Sequence, residues 1–501
     1  MPDLSRFGAF PLGDGRCEFR VWAPNARSVA VRLGQAAVPG TCLAPSEGGV
    51  HEGAVQAGPG QDYVYVLDGD AALPDPCSRY QPQGIRGPSR IVDSSVYEIE
   101  AGPVLDPQHL VVYELHVGTF SDAGTFDGAI AHLPALRDLG VTAIEVMPVA
   151  TFPGNRGWGY DGLYLSAVHP AYGGPDGLAR LVDAAHRAGL AVILDVVYNH
   201  LGPGSEAITA YGPYVTDRQR TPWGGALDFS QPAVREWAIQ NAELWAHDFR
   251  IDGLRLDAVY AILDDESPTH VLAELRERLP DTLLIAEEEV GTYRPIEEWA
   301  FDAQWADDFH HELHVALTGE SHGYYGQYGS LANMPRLYER RPPEKFVYCS
   351  QNHDQVGNRP TGDRPADDEL ELRAAALLFA PQTPLLFMGE EYGERQPFQF
   401  FTDHVDAQIA EATREGRRRE FGFAGDDVPD PQAEQTFLAS KLSRKELPGL
   451  RELYTDLLRL RRELPRETTA LGDDSTRIVK VRRGEVELVA DFRTRTVTIN
   501  R

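Results

Sequence analysis

The feature that most constrains this chain is a texture that repeats from residue 110 to residue 463, where short apolar runs alternate with segments of helical periodicity. The runs are HLVVYELHV (109–117), VTAIEVMPV (141–149), LAVILDVVYNH (190–200), GLRLDA (253–258), LLIAEEE (283–289), KFVYCSQNHD (345–354) and PLLFMGEE (384–391). Helical patterns are expected over 126–139, 175–188, 232–247, 268–279, 308–317, 369–379 and 450–463. Strands that are apolar throughout and separated by helices belong to parallel sheets, because both sheet faces are then covered. About eight such units over roughly 350 residues predict a (β/α)8 barrel with loop insertions, in preference to an open doubly wound sheet. No glycine-rich phosphate fingerprint follows any of these strands, which argues against nucleotide binding.

The chain has 501 residues, more than one hydrophobic core supports, so further domains are expected. Residues 1–103 read as an N-terminal β-sandwich: CEFRVWAP (17–24), SVAVRL (28–33) and DYVYVLDG (62–69) alternate and are rich in β-branched and aromatic side chains. The barrel is assigned to 104–465, after a linker at 101–107. RIVKVRR (477–483), EVELVADF (485–492) and TVTIN (496–500) predict three strands of a short C-terminal β domain over 466–501. The formal charge of −29 argues against a nucleic acid or an anionic membrane as partner and is compatible with a neutral ligand such as a sugar. The N-terminus lacks a signal-peptide pattern, no stretch has the apolar length of a membrane span, and the four cysteines have no zinc spacing. A reduced, cytoplasmic setting is expected.

In a barrel of this kind, polar residues at the C-terminal strand ends gather at one mouth. The third strand ends in Asp195 to His200, the fourth carries Arg255 and Asp257, and the fifth ends in Glu287, Glu288 and Glu289. The seventh ends in Asn352, His353 and Asp354, and the eighth in Glu390 and Glu391. Alternation puts Arg255 and Asp257 on one face of their strand, with Leu254 and Leu256 on the other. One such ending reads equally well as a helix cap or a structural ion pair. Five on one barrel mouth read as a site, since crowded carboxylates repel one another. Three acids in one pocket suit glycoside hydrolysis. Aromatic faces for a neutral sugar are offered by Trp158, Tyr160, Trp223, Tyr324, Tyr325 and Tyr328, of which Trp158 and Tyr160 lie in a Gly-flanked loop just after a strand.

DVVYNH (195–200), GLRLDA (253–258), IAEE (285–288) and SQNHD (350–354) resemble, in order, the four signature regions of the α-amylase superfamily. Within it, FRVWAP (19–24), YELHVGTF (113–120), RGWGYDG (156–162), DFHHELHVALTGE (308–320), QNHDQVGNRPTGDR (351–364) and FMGEEYGE (387–394) resemble the maltooligosyltrehalose trehalohydrolases. The resemblance implies a retaining hydrolase that cuts the α-1,4 bond beside a terminal trehalose, working in sequence with a maltooligosyltrehalose synthase. By the same carry-over Asp257 is the nucleophile, Glu287 the general acid/base and Asp354 the transition-state carboxylate. Trp158, Tyr160, Asp195, His200, Arg255, Glu288 and His353 would bind substrate. Two departures stand out: Glu-Glu-Glu-Val follows Ala286 where the family usually has Glu-Asp-Asp, and the C-terminal domain is short. Alternation on LLIAEE puts Leu283, Ile285 and Glu287 on one face and Leu284, Ala286 and Glu288 on the other; the resemblance implies that Glu287 is the inward one, with Glu288 toward solvent or a leaving-group subsite. A glycogen branching or debranching enzyme is the alternative reading, and a non-catalytic glycan-binding barrel a more distant one. The chemistry requires no cofactor and no metal is expected. Asp307, Asp308, His310 and His311 read as substrate contact or surface, because adjacent histidines leave a helix on different faces.

Overall fold

The computed structural model describes residues 4, 6–34, 40–221, 224–422 and 428–501. Eight parallel strands close into a barrel: β1 (Val112–Leu115), β2 (Ala143–Val146), β3 (Ala191–Val196), β4 (Gly253–Leu256), β5 (Leu283–Ala286), β6 (Ala303–Trp305), β7 (Phe346–Cys349) and β8 (Thr383–Phe387). Closure comes from β8 pairing with β1, Leu385 opposite Val112. Side chains alternate in and out along each strand. Val112, Ala143, Ala191, Ile193, Ile285, Ala303, Trp305, Val347, Cys349 and Leu385 fill the axis as one cluster. The outward set, including Ile144, Val146, Leu194, Leu254, Leu256 and Leu284, joins the larger core under the helices. Burying each aliphatic side chain of this size is worth about 1.5–3 kcal/mol. The apolar character of the runs on both faces thus has a direct cause.

The sixth strand, Ala303–Trp305, has no apolar run to mark it. It is three residues long and is held by pairing with β5 (Ile285 opposite Ala303) and β7 (Gln304 opposite Phe346). Residues 126–139, expected as one helix, form two, Phe126–Ile130 and Leu133–Leu139, the second with Pro134 in its first turn. That second helix ends on Gly140, whose φ of 115° lets its N–H reach back to Leu136 and Arg137. The helix expected over 232–247 is α-helical over Pro232–Glu243 and closes in a π turn at Leu244–Asp248.

Ahead of the barrel, two antiparallel sheets share a core around Phe19, Val21, Tyr63 and Tyr65. Hydrogen bonds fasten this sandwich to the barrel: Tyr164 Oη donates to Ile85 O (3.0 Å), Tyr211 Oη to Pro74 O (2.9 Å) and Trp237 Nε1 to Pro76 O (3.2 Å). Behind the barrel lies an antiparallel meander of four strands rather than three, the first being Thr469–Asp473. Among the described residues no helix is long and apolar enough to cross a membrane.

Arg483, at the end of the second strand of this sheet, and Arg461, in the barrel's last helix (Leu450–Glu463), are both buried beside the same barrel helix. Arg483 gives Nε to Pro465 O (2.8 Å), Nη1 to Phe379 O (3.2 Å) and Nη2 to Leu464 O (3.2 Å). Arg461 donates to the carbonyls of Leu378, Ala380, Pro381 and Gln382. Both guanidinium groups face the C-terminal end of helix Leu370–Phe379, where unpaired carbonyls concentrate negative potential. Arg483→Met keeps most of the volume and strands those carbonyls. It should cost about 1–3 kcal/mol and lower the calorimetric unfolding temperature; an unchanged transition would show that the sheet is held by packing alone.

Candidate active site

The polar layer at the C-terminal mouth is built on Arg255, which is fully buried. Register places Asp195 of β3 directly opposite it. Arg255 Nη1 donates to Asp195 Oδ2 (2.7 Å) and Oδ1 (2.9 Å) and to Asp257 Oδ1 (3.0 Å), while Nη2 donates to Glu287 Oε2 (2.6 Å). The guanidinium stacks over Trp305 of β6 at 4.1 Å. One cation therefore organises three carboxyl groups from three strands. The side chains of Arg255 and Asp195 are 0% and 1% exposed, against 11% for Asp257, 18% for Glu287 and 29% for Asp354. Arg255 and Asp195 make a floor, and the other three acids open onto the mouth.

Each acid is also held locally. Asn199 Nδ2 donates to Asp257 Oδ2 (2.8 Å) and to Asp257 O (3.0 Å). The chain reverses immediately after, through Ala258 at φ 41°, a left-handed conformation that costs a side-chain-bearing residue about 1–2 kcal/mol. In that conformation Ala258 N–H points to Glu287 Oε2 (3.0 Å). Burial, reinforced by Asp257 and Asp354, pushes the Glu287 carboxyl well above the usual range, against the pull of Arg255 and the Ala258 amide. Burial also raises Asp195 to about 7, with Arg255 opposing. Asp354 opens a short helix whose first turn is capped by Asn352 (Oδ1 accepting from Gln355 N, 2.7 Å), and Asn358 Nδ2 donates to its Oδ1 (2.9 Å). His353 Nε2 lies 3.4 Å from Asp354 Oδ2.

Asp195, Asp257 and Glu287 are joined through Arg255, and Tyr160 links this group to His353 and, through it, to Asp354. Tyr160 Oη donates to Asp195 Oδ2 (2.6 Å), and its ring stacks on His353 at 5.0 Å. His200 is buried against Asn199, and burial lowers its pKa. Two expected sugar contacts are placed otherwise. Trp158 is 6% exposed, stacks on Phe398 at 5.1 Å and donates Nε1 to Gln399 O (3.0 Å). It backs His353 edge-on instead of offering a free face, because the loop folds it under Phe398 and Phe400. Glu288 does not lean toward solvent: it is 8% exposed on the opposite side of the strand from Glu287, its Oε1 accepting from Glu289 N (2.9 Å). Solvent is left to Glu289.

His310 and His311 are likewise buried rather than on the surface, His310 stacked on His314 and His311 packed among Tyr324, Tyr325 and Tyr328. Trp223 lies outside the described residues. No cluster of potential metal ligands occurs among the described residues.

Three groups of the site escaped the sequence reading, Glu114, Glu145 and Trp305; the sequence alone assigns Asp307 to substrate contact or surface. Glu114 and Glu145 are lone charges inside the apolar runs of β1 and β2, register partners of each other, and both fully inside the barrel. The reasoning applied to Arg255, a charge on the inward face of a doubly covered strand, would have found both. Asp307, raised to about 7 by burial and by Asp354, follows the strand that had no apolar signature.

Arg255→Met should leave Asp195 and Glu287 without a cation, raising both carboxyls further in the folded state only. Folded protein then binds protons that the unfolded chain lacks, so stability falls as pH rises through those pKa values. Thermal unfolding should show a loss of about 3–5 kcal/mol near pH 8 and a smaller loss near pH 5. Equal losses at both would point to shape instead of charge.

Residues 88–220 match the alpha amylase catalytic-domain family. The chain is 44% identical to the malto-oligosyltrehalose trehalohydrolase of Deinococcus radiodurans over 94% of its length and 86% of the relative's. The enzyme of the same name from Saccharolobus solfataricus is 43% identical over 81% of this chain and 78% of its own. The crystal structure of a Salmonella typhimurium protein assigned to the alpha amylases superposes with a TM-score of 0.89 at 36% identity, covering 97% of this chain and 92% of that one. The chain belongs to the malto-oligosyltrehalose trehalohydrolase family of the α-amylase superfamily.

Proposed function

We propose that this chain hydrolyses the α-1,4 bond between a maltooligosaccharide and its terminal trehalose, releasing both with retention at the anomeric carbon. The observation that carries the reading is the sharing of Arg255 by Asp257 and Glu287. The two acids directly follow the register partners Leu256 and Ala286 on adjacent strands, which lie about 4.8 Å apart. A retaining pair needs its carboxyl groups at about 5–5.5 Å.

In the first step Asp257, both oxygens held by Arg255 and Asn199, attacks the anomeric carbon from the face opposite the scissile bond. Glu287 gives its proton to the departing trehalose oxygen as that bond breaks, leaving a glycosyl ester on Asp257. Water then attacks the same carbon, its proton passes to Glu287, and the ester is cleaved. Asp354, fixed through Asn358 and His353, grips sugar hydroxyls at the transition state. Asp195, His200, Arg255 and His353 bind the same ring, with Tyr160 against its face; Trp158 supports that wall from behind.

The trehalose end of the reading is supported by the family to which the chain belongs. Such a substrate must come from an enzyme that converts the reducing-end linkage of a maltooligosaccharide to a 1,1 bond, and we place a maltooligosyltrehalose synthase in that role. The four cysteines are all unpaired, in keeping with a shared cytoplasmic location.

Maltotriosyltrehalose should yield trehalose and maltotriose, the latter initially as the α-anomer by proton NMR. New α-1,6 linkages from amylose would favour a branching enzyme instead. Because Glu287 must begin protonated and its carboxyl is raised, the rate should fall as pH climbs through that value. Glu287→Gln should remove this alkaline limb along with most of the activity, whereas Asp257→Asn should abolish turnover without changing the unfolding temperature by more than a few degrees.

A further inference from the structure

His353 lies between two carboxylates. Its Nδ1 is 2.5 Å from Glu114 Oε1, and its backbone N–H donates to Glu114 Oε2 (2.9 Å). On the other side of the ring, Nε2 faces Asp354 Oδ2 at 3.4 Å. A neutral imidazole has one N–H, so one ring nitrogen would turn a lone pair toward a carboxylate. Only the imidazolium satisfies both contacts. We propose that Glu114, which cannot reach substrate from inside the barrel, is a positioning residue that keeps His353 doubly protonated and thereby fixes Asp354. The assignment rests on the catalytic reading above and adds to it a charge state and the residue that sets it.

The surroundings agree. Glu114 and Glu145 stand opposite each other on β1 and β2. Glu145 is 1% exposed and neither of its oxygens meets a protein donor among the described residues. Burial, Glu114 and Asp195 push its carboxyl well upward. Glu145 is thereby biased toward its neutral form, while both oxygens of Glu114 are engaged by His353. The rings of Tyr160, Trp158 and Trp305 pack against the His353 ring, and the other titratable or charged groups nearby are the ion pair of Arg255 with Asp195, Asp307, and His116, which burial lowers to about 4 and so keeps neutral. Burial works against charge on His353, but Asp354 and Glu114 outweigh it and hold its pKa near 10. The imidazolium is then retained at every pH at which the enzyme would work and is lost only on the alkaline side.

The test has a spectroscopic arm and a kinetic arm. Histidine labelled with the heavy nitrogen isotope, the His353 signal identified by its absence in His353→Gln, should report both ring nitrogens protonated from about pH 5.5 to 9 in the wild type. Titration of His353 in the ordinary histidine range would overturn the proposal. Glu114→Gln should bring the titration down into that range, and Glu114→Asp should restore part of the shift; an unshifted titration in Glu114→Gln would also overturn it. The fluoride ion of maltosyl fluoride leaves without needing a proton, so hydrolysis of this substrate frees the kinetics from the proton donated by Glu287. On this substrate Glu114→Gln should lower kcat roughly 10- to 100-fold, with a new fall in rate above the lowered His353 pKa. Should Glu114→Gln fail to fold, the wild-type titration decides alone. Absence of fluoride hydrolysis by the wild type would instead count against the catalytic reading, leaving the charge state of His353 to the spectroscopic arm.

Discussion

One guanidinium fixes the architecture of the site. Arg255 is buried, stacked on Trp305 and bonded to three carboxyl groups. Removing a cation from water is expensive, and the cost is met only when its donors are matched by acceptors of opposite charge. The consequence runs outward. Asp195 is spent on the pair and becomes floor, Asp257 is aimed by a donor on each oxygen, and Glu287 is tethered while its carboxyl stays raised. Three acids so close together repel one another. It is the placement of Arg255 that makes their differences in environment tolerable, and those differences divide nucleophile from acid in the proposed reaction.

Much of this was legible in the sequence, for reasons that can be stated residue by residue. The β/α alternation shows because both faces of each barrel strand are covered, so Ile144, which points outward, and Ile193, which points to the axis, are both apolar. Glu287 could be picked from three successive glutamates because the signature motif marks it and alternation gives it the face of Ile285, which the structure turns to the axis. What could not be read is what tertiary context decides. Ala303–Trp305 is a strand only because two neighbours supply its hydrogen bonds. Trp158 is turned from the opening by Phe398, which lies 240 residues further along the chain. Glu114 and Glu145 were a different matter: their alternation was visible, and they went unread because neither ends its strand.

The two β modules are joined to the barrel in different ways. The N-terminal sandwich is attached through tyrosine and tryptophan side chains whose polar tips reach its backbone carbonyls. Aromatic residues with one polar end suit such a seam, since the ring is buried while the tip is satisfied. The C-terminal meander is attached by Arg483, which answers the carbonyl end of a barrel helix beside Arg461 of the neighbouring barrel helix, and by Val479, Val481 and Leu488 in the shared core. Both seams are packed; the first is stitched by aromatic tips, the second by a buried guanidinium.

Glu114 and His353 are separated by 239 positions, and β1 must find β8 before the barrel can close. A chain made from its N-terminus therefore leaves the ribosome with one edge of the sheet unsatisfied and an unpartnered acid in its first barrel strand. That acid meets its histidine only when the seventh strand has emerged. Assembly of the pocket is consequently a late event in biosynthesis, and the nascent intermediate carries an open β edge, the kind of surface that chaperones must shield.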